Sequence, residues 1–295
     1  MREAVPIALL IALGCSLSVA PAAAADRPRA RELRVCADPN NLPFSNAREE
    51  GFENALARLV AGALDAKLTY TWLPQRRGFV RNTLKAGRCD LMIEAPVGYA
   101  RASTTRAYYR SSYVFVYRKD RRLGIRSFDD PKLRYLKIGI QTIGDDYANA
   151  PPADALAAQG LVANVVGFPV YGDYSTDSPL SPIVAAVARG DIDVAAVWGP
   201  AAGWLASRQS AALTVVPIAP PPAGASYQLT FDIAMGVRKG DDDLRRELDA
   251  VLVSHSKEIQ RILARYRVPQ ASKPPPVTPR ISPVTKRLSS DARKT

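Results

Sequence analysis

Histidine is nearly absent from this 295-residue chain, where His255 stands alone. It lies among Val251, Leu252 and Ile259 at helical spacing, with no nucleophile or carboxylate beside it in a recognisable motif, so packing or surface exposure is its expected role. Zinc-ligand spacing is missing too, because the three cysteines form no Cys-x-x-Cys pair. There is no Gly-x-Ser-x-Gly elbow and no glycine-rich phosphate loop. The run Asp241-Asp-Asp243 suits a helix start better than a calcium loop. These gaps argue against an enzyme, and no cofactor or metal is expected.

Long apolar runs are scarce as well; the one present is N-terminal. Arg2 precedes the apolar residues 4–13, and small residues lead to Ala23-Ala-Ala25. That is the pattern of an export signal (residues 1–25) rather than a membrane span. Ala12-Leu-Gly-Cys15 weakly resembles a lipoprotein cleavage site, but the apolar run continues past Cys15. The mature chain is expected in the periplasm, soluble, with no stable membrane insertion.

Negative charge is the other shortage: 28 acidic residues face 40 basic ones, a net +12. The stretch 269–295 holds six prolines and six basic residues against Asp291, so about +7 remains on the rest. With so little to bury, this basic Pro-rich tail is expected to be disordered. Positive charge on an exported protein suits an acidic partner surface, and equally well simple solubility; nucleic acid is not an expected partner there.

What the chain does have is an alternation of strands and helices. The apolar run Leu33–Ala37 is cut off by Asp38 and followed by a helix with Phe52, Leu56, Leu59, Val60 and Leu64 on one face. This places Asp38, Asn40 and Asn41 at the carboxyl end of a parallel strand, where ligand crevices form in open α/β sheets. Strands over 67–72 and 90–95 flank a helix over 78–86. Residues 113–118 read as a strand crossing to a second lobe, which repeats the pattern: strand 137–140, helix 154–159, strand 161–166, helix 182–188 and strands 194–197 and 214–218. Residues 229–237 read as the return, and one long helix runs from Asp241 toward Tyr266 to brace the first lobe. Arg76, Arg77 and Arg81 cluster at a helix start, against the dipole preference, which suggests a partner surface.

Several blocks carry a resemblance. They are Asp38-Pro-Asn-Asn-Leu-Pro-Phe-Ser45, Pro74-Gln-Arg-Arg-Gly-Phe-Val-Arg81, Thr105–Tyr117 and Asp130–Ile140. From about Leu33 to Val268 the chain resembles the binding-protein-like accessory proteins of periplasmic quinoprotein (PQQ) methanol dehydrogenases, within the two-lobed solute-binding proteins. The resemblance implies an α/β fold of the periplasmic binding protein type II, with two lobes joined by a two-segment hinge. Lobe 1 would comprise 31–115 and 233–268, and lobe 2 116–232. It implies a non-catalytic accessory or maturation factor that engages the dehydrogenase, of calcium or lanthanide type, through the cleft. The enzyme's cytochrome c is a second candidate partner, and the protein itself is expected to be monomeric. The alternative is a receptor of an ABC importer for a small non-amino-acid ligand.

The same resemblance distributes roles. Arg101 stands where such proteins clamp a ligand carboxylate, and Gln141 and Thr142 open a loop that suits an anion. Trp198 stands where amino-acid receptors hold an ammonium group with aspartate, so an amino acid would lose its counter-ion. Phe44, Tyr99, Trp72 and Tyr171 are candidates to enlarge an aromatic cleft. Cys36 and Cys89 survive cleavage into an oxidising compartment. The strand order of the fold offsets them by about three residues, roughly 10 Å at the strand rise, and so leaves both a disulfide and free thiols open.

Overall fold

Alternating burial along Leu33, Val35 and Ala37 makes β1 (Glu32–Ala37) the centre of the first sheet. The structure, a computed structural model, describes residues 31–142, 150–170, 174–176 and 178–272. The export signal, Tyr171, the residues following Thr142 and the tail from 273 onward lie outside the described residues. After β1 the Asp-Pro-Asn-Asn block forms a small hairpin, β2 (Asn40–Asn41) with β3 (Ser45–Asn46), around a cis Leu42–Pro43 bond. The hairpin lies against the start of α1 (Phe52–Ala63) so closely that a Cβ on Gly51 would sit 2.0 Å from the Phe44 carbonyl oxygen, which only glycine avoids. The Asn54 side chain accepts from Gly51 N at 3.1 Å and caps the helix. The buried face of α1 carries Phe52, Leu56 and Val60, as its spacing predicts.

β4 (Lys67–Trp72) pairs parallel with β1 on one side, and β5 (Leu91–Pro96) on the other. Between them the expected helix over 78–86 shrinks to one turn, α2 (Phe79–Asn82). Gly78 enters it in the left-handed region, and turns run from Thr83 to Gly87. Those turns also decide the cysteines. Register places Cys36 beside Met92, three positions past Cys89, as the offset requires. Cys89, however, is not yet in the strand; the chain curls back over β1, and Cys36 and Cys89 form a disulfide with Cα atoms 5.4 Å apart. It packs with Phe79, Val80, Leu84 and Met92 in a small apolar cluster.

A short strand, β6 (Ser103–Thr104), precedes the ten-residue β7 (Tyr109–Arg118). The second half then runs β8 (Ile138–Thr142), α3 (Pro151–Ala158), β9 (Val165–Pro169), α4 (Pro182–Arg189) and β10 (Val194–Trp198). The helix α5 (Gly199–Ala206) comes next, where Gly-Pro reads as a breaker. Proline at the first turn costs no hydrogen bond, because the N–H it lacks has no partner there. β11 (Leu213–Pro217) and the returning β12 (Thr230–Val237) follow. The long terminal helix is two helices, α6 (Asp242–Ser254) and α7 (Ser256–Arg265), parted at His255 where Ser254 Oγ bonds back to the Ala250 and Val251 carbonyls. Both pack on the first sheet side, around α1 and β12.

The strand order is β4-β1-β5-β12-β7-β10-β8-β9, with β11 also on β7 and β6 on β12. The crossing strands are therefore more than linkers. β7 pairs with β12 over Tyr109–Ser112 and with β10 and β11 over Tyr113–Arg118. β12 leaves β7 at Ile233 to pair with β5. The hydrogen-bond ladder runs unbroken through the hinge, because both crossing segments, read from sequence as strands, pair with each other. The C-terminal stretch reinforces it, since Ser111 Oγ donates to the Pro269 carbonyl at 2.6 Å and Ala271 N to the Arg110 carbonyl at 2.9 Å.

Candidate functional site

A cavity of about 380 Å³ opens beside the crossing strands β7 and β12. Strand ends and helix starts supply its walls: Phe44 from the hairpin, Tyr113 from β7, Trp198 at the end of β10 and Phe231 from β12. The rings form one group, with Trp198 at 5.4 Å from Tyr113 and 5.8 Å, edge-on, from Phe231. Two acidic side chains reach into this apolar space, Glu53 from the first turn of α1 and Glu94 from β5. Glu53 is only 9% exposed. Burial holds its carboxyl well above the usual range, and the charges of Glu94 and Asp38 push the same way. Burial lifts Glu94 to about 7, against the pull of the Tyr109 hydroxyl and the Trp198 indole toward its charged form. Its Oε2 is buried with no hydrogen-bond partner among the described residues. Among the described residues no lysine or arginine lines the cavity.

Of the residues read from sequence as cleft positions, Asn41, Phe44, Gln141 and Trp198 line this cavity. The Asp38 carboxylate is taken up by partners within the protein. Its Oδ1 accepts from Asn40 N at 2.8 Å, and its Oδ2 accepts from Gln75 N at 2.6 Å and from the Tyr174 hydroxyl at 2.5 Å. Asn40 likewise donates to the carbonyls of Tyr174 and Thr176, at 3.2 and 2.7 Å. A strap over 174–176, from the connection between β9 and α4, thus occupies the strand end that was read as a ligand site. Thr142 lies beside the cavity at the end of β8, its carbonyl taken by Val170 N at 2.8 Å.

Tyr99 and Arg101 lie elsewhere. The turn at Gly98, with positive φ, sends the chain away from the cleft, so Tyr99 packs by the disulfide cluster. Arg101 joins Arg77, Arg81, Lys85, Arg238 and Lys239 around a second pocket of about 640 Å³. The three-arginine cluster is divided: Arg77 and Arg81 line this basic pocket, whereas the Arg76 guanidinium lies 4.8 Å over the Tyr174 ring. With α2 one turn long, its dipole gives no reason for cations to avoid it. Trp72 stacks on Tyr70 at 4.5 Å, on the outer strand β4.

Sequence reasoning missed Glu53, Glu94, Tyr113 and Phe231. Glu94 left a signal, a lone charge in the apolar run Leu91-Met-Ile-Glu-Ala. Glu53 left none, because an acid in a helix's first turn is ordinary. Among the described residues no group of three or more potential metal ligands gathers, and no helix is long and apolar enough to cross a membrane.

Known proteins share this arrangement. A protein named MoxJ from Methylorubrum extorquens is 33% identical over 258 residues, 84% of each chain. A MoxJ from Paracoccus denitrificans is 29% identical over 86% of this chain and 93% of its own length. The crystal structure of the periplasmic binding protein XoxJ from Methylobacterium extorquens AM1 superposes with a TM-score of 0.68 at 38% identity, covering 82% of this chain and all of that one. Residues 33–269 match the bacterial extracellular solute-binding proteins, family 3, and the chain belongs to that family.

Proposed function

We propose that this protein is a non-catalytic periplasmic accessory or maturation factor of a PQQ-dependent methanol dehydrogenase, which it engages through the inter-lobe cleft. The observation that carries the reading is the lining of the cavity. A free amino acid presents a carboxylate, yet among the described residues no basic side chain lines this space, and Arg101 lines a different pocket. An aromatic wall with acidic groups suits a side chain of a protein segment better than a zwitterion. The relatives named MoxJ and XoxJ fit the same reading. Outside the cleft, the basic pocket around Arg77 and Arg101 offers an acidic patch of the enzyme a complementary surface.

Surface plasmon resonance with the mature protein immobilised and the purified dehydrogenase in solution tests this. Saturable binding that weakens with salt is expected, as is its loss in Trp198→Ala. No binding to the dehydrogenase, together with micromolar affinity for a free amino acid, would instead identify an importer receptor.

A further inference from the structure

Two carboxyl groups in one aromatic cavity, without a counter-ion, need an explanation. Structural carboxyls that are buried usually accept hydrogen bonds or meet a cation. Among the described residues no arginine or lysine lines the cavity that holds Glu53 and Glu94, and Glu94 Oε2 has no hydrogen-bond donor. The Tyr109 hydroxyl and the Trp198 indole favour the charged form of Glu94 but bring no positive charge. Asp38 adds a like charge to Glu53, and the neighbouring Tyr108 and Tyr109 are held protonated by burial and by both glutamates. The cavity therefore offers two carboxyls whose charged form a positive ligand would stabilise. A metal ion fits poorly, since hard cations require six or more oxygens and these walls are largely ring carbon. An organic cation fits on both counts: carboxylates for its charge, and Trp198, Tyr113 and Phe231 for its stem and the ring faces that attract cations.

We infer that the cleft receives the cationic end of a lysine or arginine side chain presented by the partner protein, with its charge between Glu53 and Glu94 and its stem against Trp198. This rests on the accessory-protein reading for the identity of the chain that presents it. The segment it describes has mixed charge, a cation that enters the cleft and acidic residues that meet the basic pocket outside.

Calorimetry on the mature wild-type protein tests the inference with N-acetyl-lysine methylamide, N-acetyl-arginine methylamide and the neutral N-acetyl-norleucine methylamide. At least one cation should bind about tenfold or more tightly than the neutral analogue, the difference a charged hydrogen-bonded group makes. Because the Glu94 carboxyl titrates at about 7, binding should release a proton and tighten roughly tenfold from pH 6 to pH 8. Measuring the heat in buffers of different ionisation enthalpy counts that proton without any mutation. Glu53→Gln and Glu94→Gln should each abolish the preference and the release. Equal affinity for norleucine, no binding by either cation, or binding of spermidine alone would overturn the inference. Dehydrogenase capture is scored separately. Capture that survives in both glutamine variants removes the cation site and leaves the accessory reading, whereas cation binding without capture removes the partner and leaves the site.

Discussion

Removing the Cys36–Cys89 bond should cost this protein a large share of its stability. The two cysteines are 53 residues apart, and the closed loop holds the hairpin, α1, β4 and α2. In the chain-entropy account, opening a loop of that length frees the denatured ensemble by about 4 kcal/mol at 25 °C. Replacing both cysteines by alanine is the suitable perturbation, because Cys89 is fully buried and a serine hydroxyl would lack a partner there. The loss of two sulfurs from the cluster of Phe79, Leu84 and Met92 adds to the cost. For a chain of this size each kcal/mol moves Tm by roughly 2–4 °C, so a fall of roughly 8–16 °C is expected. Urea unfolding of wild type, reduced wild type and the double alanine variant is the assay. The m-value should rise in the last two, since the open denatured chain exposes more surface. A stability loss below about 1 kcal/mol, with m unchanged, would refute the argument that the bond acts by constraining the unfolded chain.

Other outcomes follow from the same geometry. Glu94 has its carboxyl raised by burial from 4.5 to about 7, so the folded state binds the extra proton between those values and loses stability as pH rises. Glu94→Gln should therefore gain about 3 kcal/mol relative to wild type on going from pH 5 to pH 8, read by denaturation at both pH values; equal changes would show that the carboxyl is not buried in solution. Trp198→Ala should speed dissociation from the dehydrogenase and leave association nearly unchanged, as loss of an anchor does. The double reversal Arg77→Glu with Arg101→Glu should instead slow association, and salt should erase the difference as the screening length falls below about 8 Å. Free amino acids should give no heat in calorimetry up to millimolar concentrations, because no cation among the described residues lines the cavity to meet a carboxylate.

The sequence conveyed the periodic parts of this fold and few of the exceptions. β4 and α1 lie where alternation and helical spacing put them, and β10 follows its apolar run to Trp198. Periodicity reports burial, and these elements have one buried face or two. β7 begins four residues before its aromatic run, because Tyr109–Ser112 is recruited by β12, a partner more than a hundred residues away. The cleft was read by position after a strand, and position alone does not show which polar groups the protein uses itself. Asp38 and Asn40 are satisfied by Tyr174 and Thr176, and a local reading has no access to that contact. Arg101 lines a different pocket for a similar reason, since one positive-φ glycine redirects the turn that carries it. Trp198 lines the cavity because it ends a strand whose direction the pattern makes plain.

The unbroken ladder through β7 and β12 changes what opening such a molecule would mean mechanically. Two free linkers behave like the pins of a door. Here the pins are laced to each other and to both panels, and residues 269–271 lie across them like a splint, held at Arg110 and Ser111. Separation of the halves must bend a hydrogen-bonded ribbon, so the resting state resists with a restoring force. Because residues 269–271 are bonded to that ribbon, a change in its curvature must displace them as well.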